Sequence, residues 1–315
     1  MIAALILLLL NCRRCQVAQL GITESRSFDS YAGTGLAVLT SSHQFFVVNS
    51  VEDPKVWRTP EIPRKAEKPS CWTIVSKGRK TKVIAVFGAD IFALTQGLPA
   101  EQIVSSVSTL VNRYVRIAVS QDQSKLALLS ENGLVQFTSV DMKQTYSETT
   151  IDLSDSLPVE FLWCGSEALA VLENDTSLTL LGIDGGSIRF AFDEAIRFGA
   201  EVDGIRLFSH SMLEFIAKVP DSVCAVYQVA SNEPGALLLE ASGKYKEGSH
   251  QAYDYLRMVG DRLQQAVEQC VAAAGHEFDI ASQRALIEAA AFGKTFARDM
   301  NAQSFVDMCR VLRVL

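Results

Sequence analysis

Between residues 27 and 219 the chain repeats one pattern, a short apolar β-rich run, a turn-former, then a second apolar run. "GLAVLTSSHQFFVV" from Gly35, "VIAVFGADIFAL" from Val83, "KLALLSENGLVQF" from Lys125 and "ALAVLENDTSLTLL" from Ala168 each read as a β-hairpin. Taking Leu36, Ile84, Leu126 and Leu169 as equivalent gives spacings of 48, 42 and 43 residues, and Ile205 in "GIRLFSHSMLEF" follows after 36. A four-stranded propeller blade with its turns consumes about 40 to 45 residues, so the period predicts a β-propeller. The turns agree, because Glu131-Asn132-Gly133 and Asp184-Gly185-Gly186 supply residues that tolerate positive φ. A β-sandwich is the alternative, with irregular spacing. About five blade-like units are visible, and since a propeller closes its ring to hide edge strands, an incomplete array is expected.

After Val219-Pro220 the apolar period lengthens from two to about 3.6. Leu263, Ala266, Val267, Cys270, Val271 and Ala274 form one helical stripe, with Gly275 placed to end the helix in the left-handed conformation. Asp279 is positioned to cap the next helix, whose stripe is Leu286, Ala289, Ala290, Gly293 and Ala297. Phe305, Met308, Cys309 and Leu312 make a third. Short connections and small residues at contact positions predict antiparallel helices, the start of an α-solenoid whose last helix, ending "MCRVLRVL", presents apolar surface for something to cover. The fold class is therefore β then α, a partial β-propeller followed by the start of an α-solenoid.

Composition narrows the function. At 315 residues and 48% hydrophobic the chain buries a substantial core in about two domains. Residues 1 to 220 carry 20 basic and 24 acidic side chains and the remainder 9 and 12, giving −4 and −3 of the total −7. Neither part has the cationic face that displaces counterions from phosphate, so nucleic acid is excluded as a partner. The strongest basic run, Lys77-Gly-Arg79-Lys80-Thr-Lys82, lies between two apolar runs and reads as a solvated hairpin loop rather than a contact for anionic lipid or a partner.

Seven scattered cysteines favour a reducing cytosol. Cys12-Arg-Arg-Cys15 lacks a second pair at zinc-site spacing and reads as chance. The apolar run after Met1 is about nine residues long, too short for a transmembrane helix. No Lys or Arg precedes it, and Arg13 and Arg14 follow it, which argues against a secretory signal. The sequon Asn174-Asp-Thr176 matters only if the chain is secreted.

Two enzyme-like strings fail on spacing. His276-Glu277 opens a zinc-protease H-E-x-x-H, but position 280 is Ile280, and the string lies at a helix corner where two imidazoles cannot share one face. Gly293-Lys294-Thr295 ends a phosphate loop, but the required earlier glycine is Glu288, a carboxylate inside a helix. Gly293 reads as a close helix contact and Lys294 as a solvated residue on the outer face. His43, His210, His250 and His276 are dispersed, and Trp57, Trp72 and Trp163 read as core packing before ligand stacking. No catalytic, cofactor-binding or metal residue is assigned, no cofactor is called for, and partner-binding residues are left unassigned.

Particular strings carry a resemblance. "PSCWT" (69–73), "EVDGIRLFSHSMLEFIAKVP" (201–220), "GALLLEA" (235–241), "EQCVAAAGHEFD" (268–279), "AAFGKTF" (290–296) and "FVDMCRVLRVL" (305–315) resemble the vacuolar protein sorting-associated protein 16 family, collinearly from about Gln16 to Leu315. The resemblance implies a seven-bladed WD-type propeller followed by an α-solenoid, in a non-enzymatic core subunit of the HOPS and CORVET tethering complexes. It implies a cytoplasmic protein held peripherally on early and late endosomes and on lysosomes or vacuoles. The implied partners are the other subunits, among them a Sec1-family SNARE-binding subunit docked by helices beyond residue 315, and indirectly Rab GTPases and SNAREs. Against that family the chain is expected to be a partial or alternatively started product, with 1–15 unmatched in place of the first blades, 16–220 a partial propeller and 221–315 the first solenoid helices. Another propeller-solenoid coat or pore scaffold is the competing reading, with an enzyme of unrecognised site behind it.

Overall fold

The repeated apolar runs fold as antiparallel strands, blade by blade, in a computed structural model that describes residues 21–62, 67–103, 113–153, 157–297, 300–310 and 312. Blade one is β1 (Ile22–Ser30), β2 (Gly33–Thr40), β3 (Phe45–Val48) and β4 (Val56–Arg58). Blade two is β5 (Cys71–Lys77), β6 (Lys80–Phe87), β7 (Asp90–Thr95) and β8 (Glu101–Ile103). Blade three is β9 (Tyr114–Val119), β10 (Lys125–Ser130), β11 (Leu134–Ser139) and β12 (Thr145–Thr150). Blade four is β13 (Glu160–Cys164), β14 (Ala168–Asn174), β15 (Ser177–Gly182) and β16 (Ser187–Ala191). Blade five has three strands among the described residues, β17 (Arg197–Ala200), β18 (Gly204–Phe208) and β19 (Leu213–Ala217). Each sheet keeps sequence order, and first strands contact first strands, β1 with β5, β5 with β9, β9 with β13 and β13 with β17. The first strands therefore surround the axis of a β-propeller.

Alternation along the second strand of each blade explains the core. In β10, Leu126 and Leu128 pack on Ile84 and Val86 of blade two, while Ala127 and Leu129 pack on Phe161 and Trp163 of blade four. Successive side chains point to opposite faces, so a strand sandwiched between two blades must be apolar at every position. That is why "VIAV", "LALL" and "LAVL" read as unbroken runs, and each fully buried Leu, Ile or Val contributes about 1.5–3 kcal/mol. The sequence period carries one slip. Leu126, Leu169 and Ile205 face the preceding blade, and Leu36 faces away from blade two, but Ile84 faces blade three. The equivalent residue is Val83, which packs on blade one. A shift of one residue reverses the face.

Glycine turns join the strands where anticipated. Gly133 has φ +82°, and a Cβ there would lie 2.2 Å from the Ile151 carbonyl oxygen. The basic run Lys77–Lys82 is the β5–β6 hairpin, with Gly78 at φ +60° and Lys77, Arg79 and Lys80 exposed.

The chain divides into two compact units, Met1–Lys218 and Val219–Leu315. The second holds α1 (Asp221–Tyr227), α2 (Pro234–Lys246), α3 (Gln251–Val259), α4 (Leu263–Ala274), α5 (Ile280–Lys294) and α6 (Ala302–Arg310). The α4 and α5 stripes interdigitate with Leu237 and Leu238 of α2, and Phe305, Met308, Cys309 and Leu312 pack against the same core. Small side chains permit the close approach. At Gly293 an added Cβ would stand 2.6 Å from Leu238 Cδ2 and 2.9 Å from Val267 Cγ2.

Gly275 departs from the expected left-handed cap. Its φ and ψ are −68° and −19°, and its N–H bonds back to the carbonyls of Val271 and Ala272. The helix still ends at Ala274, and α5 starts from Asp279, whose backbone is extended and whose Oδ2 accepts from Ser282 N at 2.8 Å.

Candidate interaction surfaces

The sequence-level candidates disperse. His276 lies exposed in the α4–α5 corner, its backbone N–H bonded to Ala273 O at 3.0 Å, and Ile280 opens α5. Glu288, where a phosphate loop needs glycine, is ion-paired to Lys246. Lys294 is half-buried, not solvated, because its Nζ sits 4.5 Å from the centre of the Phe305 ring. Asn174 Oδ1 accepts from Thr176 N at 3.0 Å and serves the β14–β15 turn. Among the described residues no three His, Cys, Asp or Glu side chains are grouped to hold a metal ion. Cys12 and Cys15 lie outside the described residues. Burial pushes the thiols of Cys71 and Cys270 up to about 12, while Cys224 is exposed.

Two tryptophans work as joints between blades. Trp72 of β5 packs edge-on against Phe45 of blade one at 5.1 Å, and its Nε1 donates to Glu24 Oε2 at 2.7 Å. Trp163 of β13 repeats the device one blade pair later, edge-on to Phe137 at 5.7 Å, with Nε1 donating to Ala118 O at 3.1 Å. Burial alone would raise the Glu24 carboxyl, but hydrogen bonds from Lys68 and Trp72 outweigh it and hold the group below its ordinary value.

Blade five breaks the pattern on one side. Ile205 and Leu207 bury against blade four, whereas Arg206 and Phe208 alternate with them on an exposed face. Cross-strand pairing sets Phe208 beside Leu213 and Arg206 beside Phe215. Leu213 is 66% exposed, Phe208 and Phe215 are nearly half so, and the Arg206 guanidinium lies 5.8 Å from the Phe215 ring centre. A contiguous apolar face of this kind marks a contact surface. In the helical unit Tyr245, Phe292 and Phe296 form a partly exposed aromatic row with centroids 5.0 and 5.1 Å apart.

The axis of the propeller encloses an open cavity of about 790 Å³, to which the first strand of every blade contributes. Arg26 of β1 and Arg116 of β9 both enter it. The Arg26 guanidinium stacks 4.7 Å from the Trp72 ring centre. On β13, Glu160 also lines the cavity, where its Oε2 accepts from Phe198 N at 3.2 Å and burial raises its pKa. Sequence reasoning missed this site, since its parts lie on separate first strands dozens of residues apart.

Comparison with known proteins gives one consistent family. The model of the Vps16 N-terminal region matches residues 14–307. The chain is 33% identical over 301 residues to the vacuolar protein sorting-associated protein 16 homolog of Drosophila melanogaster, covering 93% of this chain and 36% of that protein. It is 29% identical to Protein VACUOLELESS1 of Arabidopsis thaliana, covering 90% and 35%. The chain thus spans about a third of the length of the curated relatives it matches. Among solved structures, the β-propeller domain of Cps50 (Swd1) from Myceliophteria thermophila aligns over 59% of this chain and 67% of that one at 9% identity, with a TM-score of 0.41.

Proposed function

This chain belongs to the family of the Vps16 N-terminal region, and from that premise we propose that it acts as a non-enzymatic scaffold subunit in vacuolar protein sorting, within a tethering complex of the HOPS or CORVET type. The observation that carries the reading is the family match across 14–307, which runs through both the propeller and the helices. The surfaces suit the role. Propellers and stacked helices bind through broad faces, and the apolar face of blade five and the aromatic row on the helical unit offer contact area without requiring a cofactor. In this reading the direct partners are other tether subunits, while the Sec1-family SNARE-binding subunit, which the family docks through helices beyond residue 315, and the Rab GTPases and SNAREs are engaged through the rest of the assembly. Membrane association at endosomes and the lysosome or vacuole is peripheral and depends on those partners. No described helix is long and apolar enough to cross a membrane.

The test is affinity purification of the tagged chain from its source cells with quantitative mass spectrometry. Enrichment of tether subunits is expected, and replacing Phe208 and Leu213 together with Ser should reduce it. Enrichment of coat or pore subunits instead would overturn the tethering assignment, and tight binding of the purified chain to protein-free liposomes would overturn partner-dependent recruitment.

A further inference from the structure

Outside the blade-five face and the helical surface, the feature least explained by packing is the pair of arginines in the axial cavity. The Arg26 guanidinium makes no hydrogen bond or ion pair within the described residues, and it lies over the face of Trp72, 4.7 Å from the ring centre. Stacking occupies the flat face of a guanidinium and leaves its in-plane N–H donors available. Among the described residues the Arg116 guanidinium donates to Val115 O, at 3.2 Å, and to no other acceptor. Arg26 stays exposed to the cavity, yet desolvation by its surroundings lowers its pKa, Glu24 offsets this, and the charge of Arg116 lowers it further.

The rest of the lining limits what anion fits. Glu160 and Asp29 carry as many formal negative charges into the cavity as the arginines carry positive ones. A polyphosphate would meet both carboxylates as well as both guanidiniums, whereas a single carboxylate can pair with the guanidinium fork alone. Exposed Val159 and Leu162 add apolar contact on the blade-four side. Each first strand is paired on one edge only within the described residues, β1 with β2, β9 with β10 and β13 with β14, so the opposite backbone edges face the cavity and can pair with an extended chain. A volume of about 790 Å³ lies within the usual range for ligand sites.

We propose that the axial cavity binds a short extended peptide segment bearing one acidic side chain, whose carboxylate is held between Arg26 and Arg116 while its apolar neighbours rest on Val159 and Leu162. This binding is separate from the surfaces invoked for tethering, and it stands or falls without them.

The test uses the full 315-residue chain, immobilised, and two pools of blocked hexapeptides that are degenerate except for a central Glu in one and a central Gln in the other. The wild-type chain should retain the Glu pool about tenfold or more over the Gln pool, the value of one charge-assisted bidentate contact. Arg26→Gln and Arg116→Gln should each remove most of that preference, and Arg26→Lys, which keeps the charge and the aromatic stack, should retain part of it. Circular dichroism of each variant checks the fold, and the comparison of pools on the wild-type chain depends on no variant. Equal retention of the two pools would overturn the proposal. So would a Glu preference that survives both glutamine variants, or Arg-dependent binding of phosphoinositide vesicles that exceeds binding of the Glu pool.

Discussion

Replacing Trp72 or Trp57 with Phe separates two indole N–H groups of opposite energetic sign. Both rings belong to the core between blades one and two, 1% and 8% exposed. Trp72 Nε1 donates to a carboxylate at 2.7 Å, whereas Trp57 Nε1 is buried with no hydrogen-bond partner. Trp to Phe removes the same volume at each site, and the packing loss, about 1–2 kcal/mol, largely cancels in the comparison. A hydrogen bond to a charged group contributes about 1.5–3 kcal/mol when shielded. Glu24 keeps 36% of its side chain exposed, so solvent screening reduces this to about 1–1.5 kcal/mol. Deleting the orphaned donor of Trp57 instead relieves a desolvation cost of about 1–3 kcal/mol. Trp72→Phe should therefore be the more destabilising by about 2–4 kcal/mol. Urea unfolding followed by far-UV circular dichroism reads the difference as a shift in midpoint at constant slope, and avoids fluorescence, which both substitutions alter. Two variants within about 0.5 kcal/mol of each other would refute the assignment of these hydrogen bonds.

Other outcomes follow from the same geometry. The Glu24 carboxyl lies below its ordinary 4.5, so its stabilisation is present above that value and is lost as pH falls through the folded pKa. The stability gap between the wild-type chain and Glu24→Gln should accordingly shrink between pH 6 and pH 3 in urea titrations, and a constant gap would contradict it. Gly293→Ala should destabilise by about 1–2 kcal/mol, because overpacking against buried Leu238 and Val267 exceeds the gain in helix propensity. Gly243→Ala, with nothing within 4 Å of the added carbon, should stabilise by up to about 1 kcal/mol, so the same denaturation series showing both variants shifted in one direction would refute the argument. Iodoacetamide at pH 8, mapped by peptide mass spectrometry, should modify exposed Cys224 in the folded chain, and Cys71 and Cys270 only after unfolding.

What the chain reveals by inspection depends on how many faces an element buries. Val83 to Phe87 is apolar throughout because both faces are covered, which makes blade two easy to find. The same continuity erases the parity that would have told Val83 from Ile84. In "GIRLF" the parity returns, Ile205 and Leu207 buried against Arg206 and Phe208 exposed, which marks a strand packed on one neighbouring blade among the described residues where β10 is packed on two. The fourth strands β4 and β8, three residues each, fall below any periodic signal. Helical stripes were legible because one buried face of a helix repeats over several turns, and Gly293 was legible as a contact because an alanine-rich neighbourhood leaves few other uses for it. Gly275 was not, since a glycine near a helix end is compatible with right- or left-handed backbone, and the nearby Asp279 cap ends the ambiguity only in three dimensions.

The axial site lies at the far end of this scale. Arg26 sits in "ESRSFDS" and Arg116 in "YVRIAV", strands of different composition ninety residues apart, and neither carries a spacing that points to the other. What joins them is a rule of topology, that every blade contributes its first strand to one axis. A charged residue in the interior of such a strand must either pair with the neighbouring blade or face the cavity. Glu24, with Lys68 and Trp72, takes the first course, while Arg26 and Arg116 take the second. Once a propeller period is recognised, charged residues on first strands are therefore where chemistry should be sought, even though no linear motif marks them.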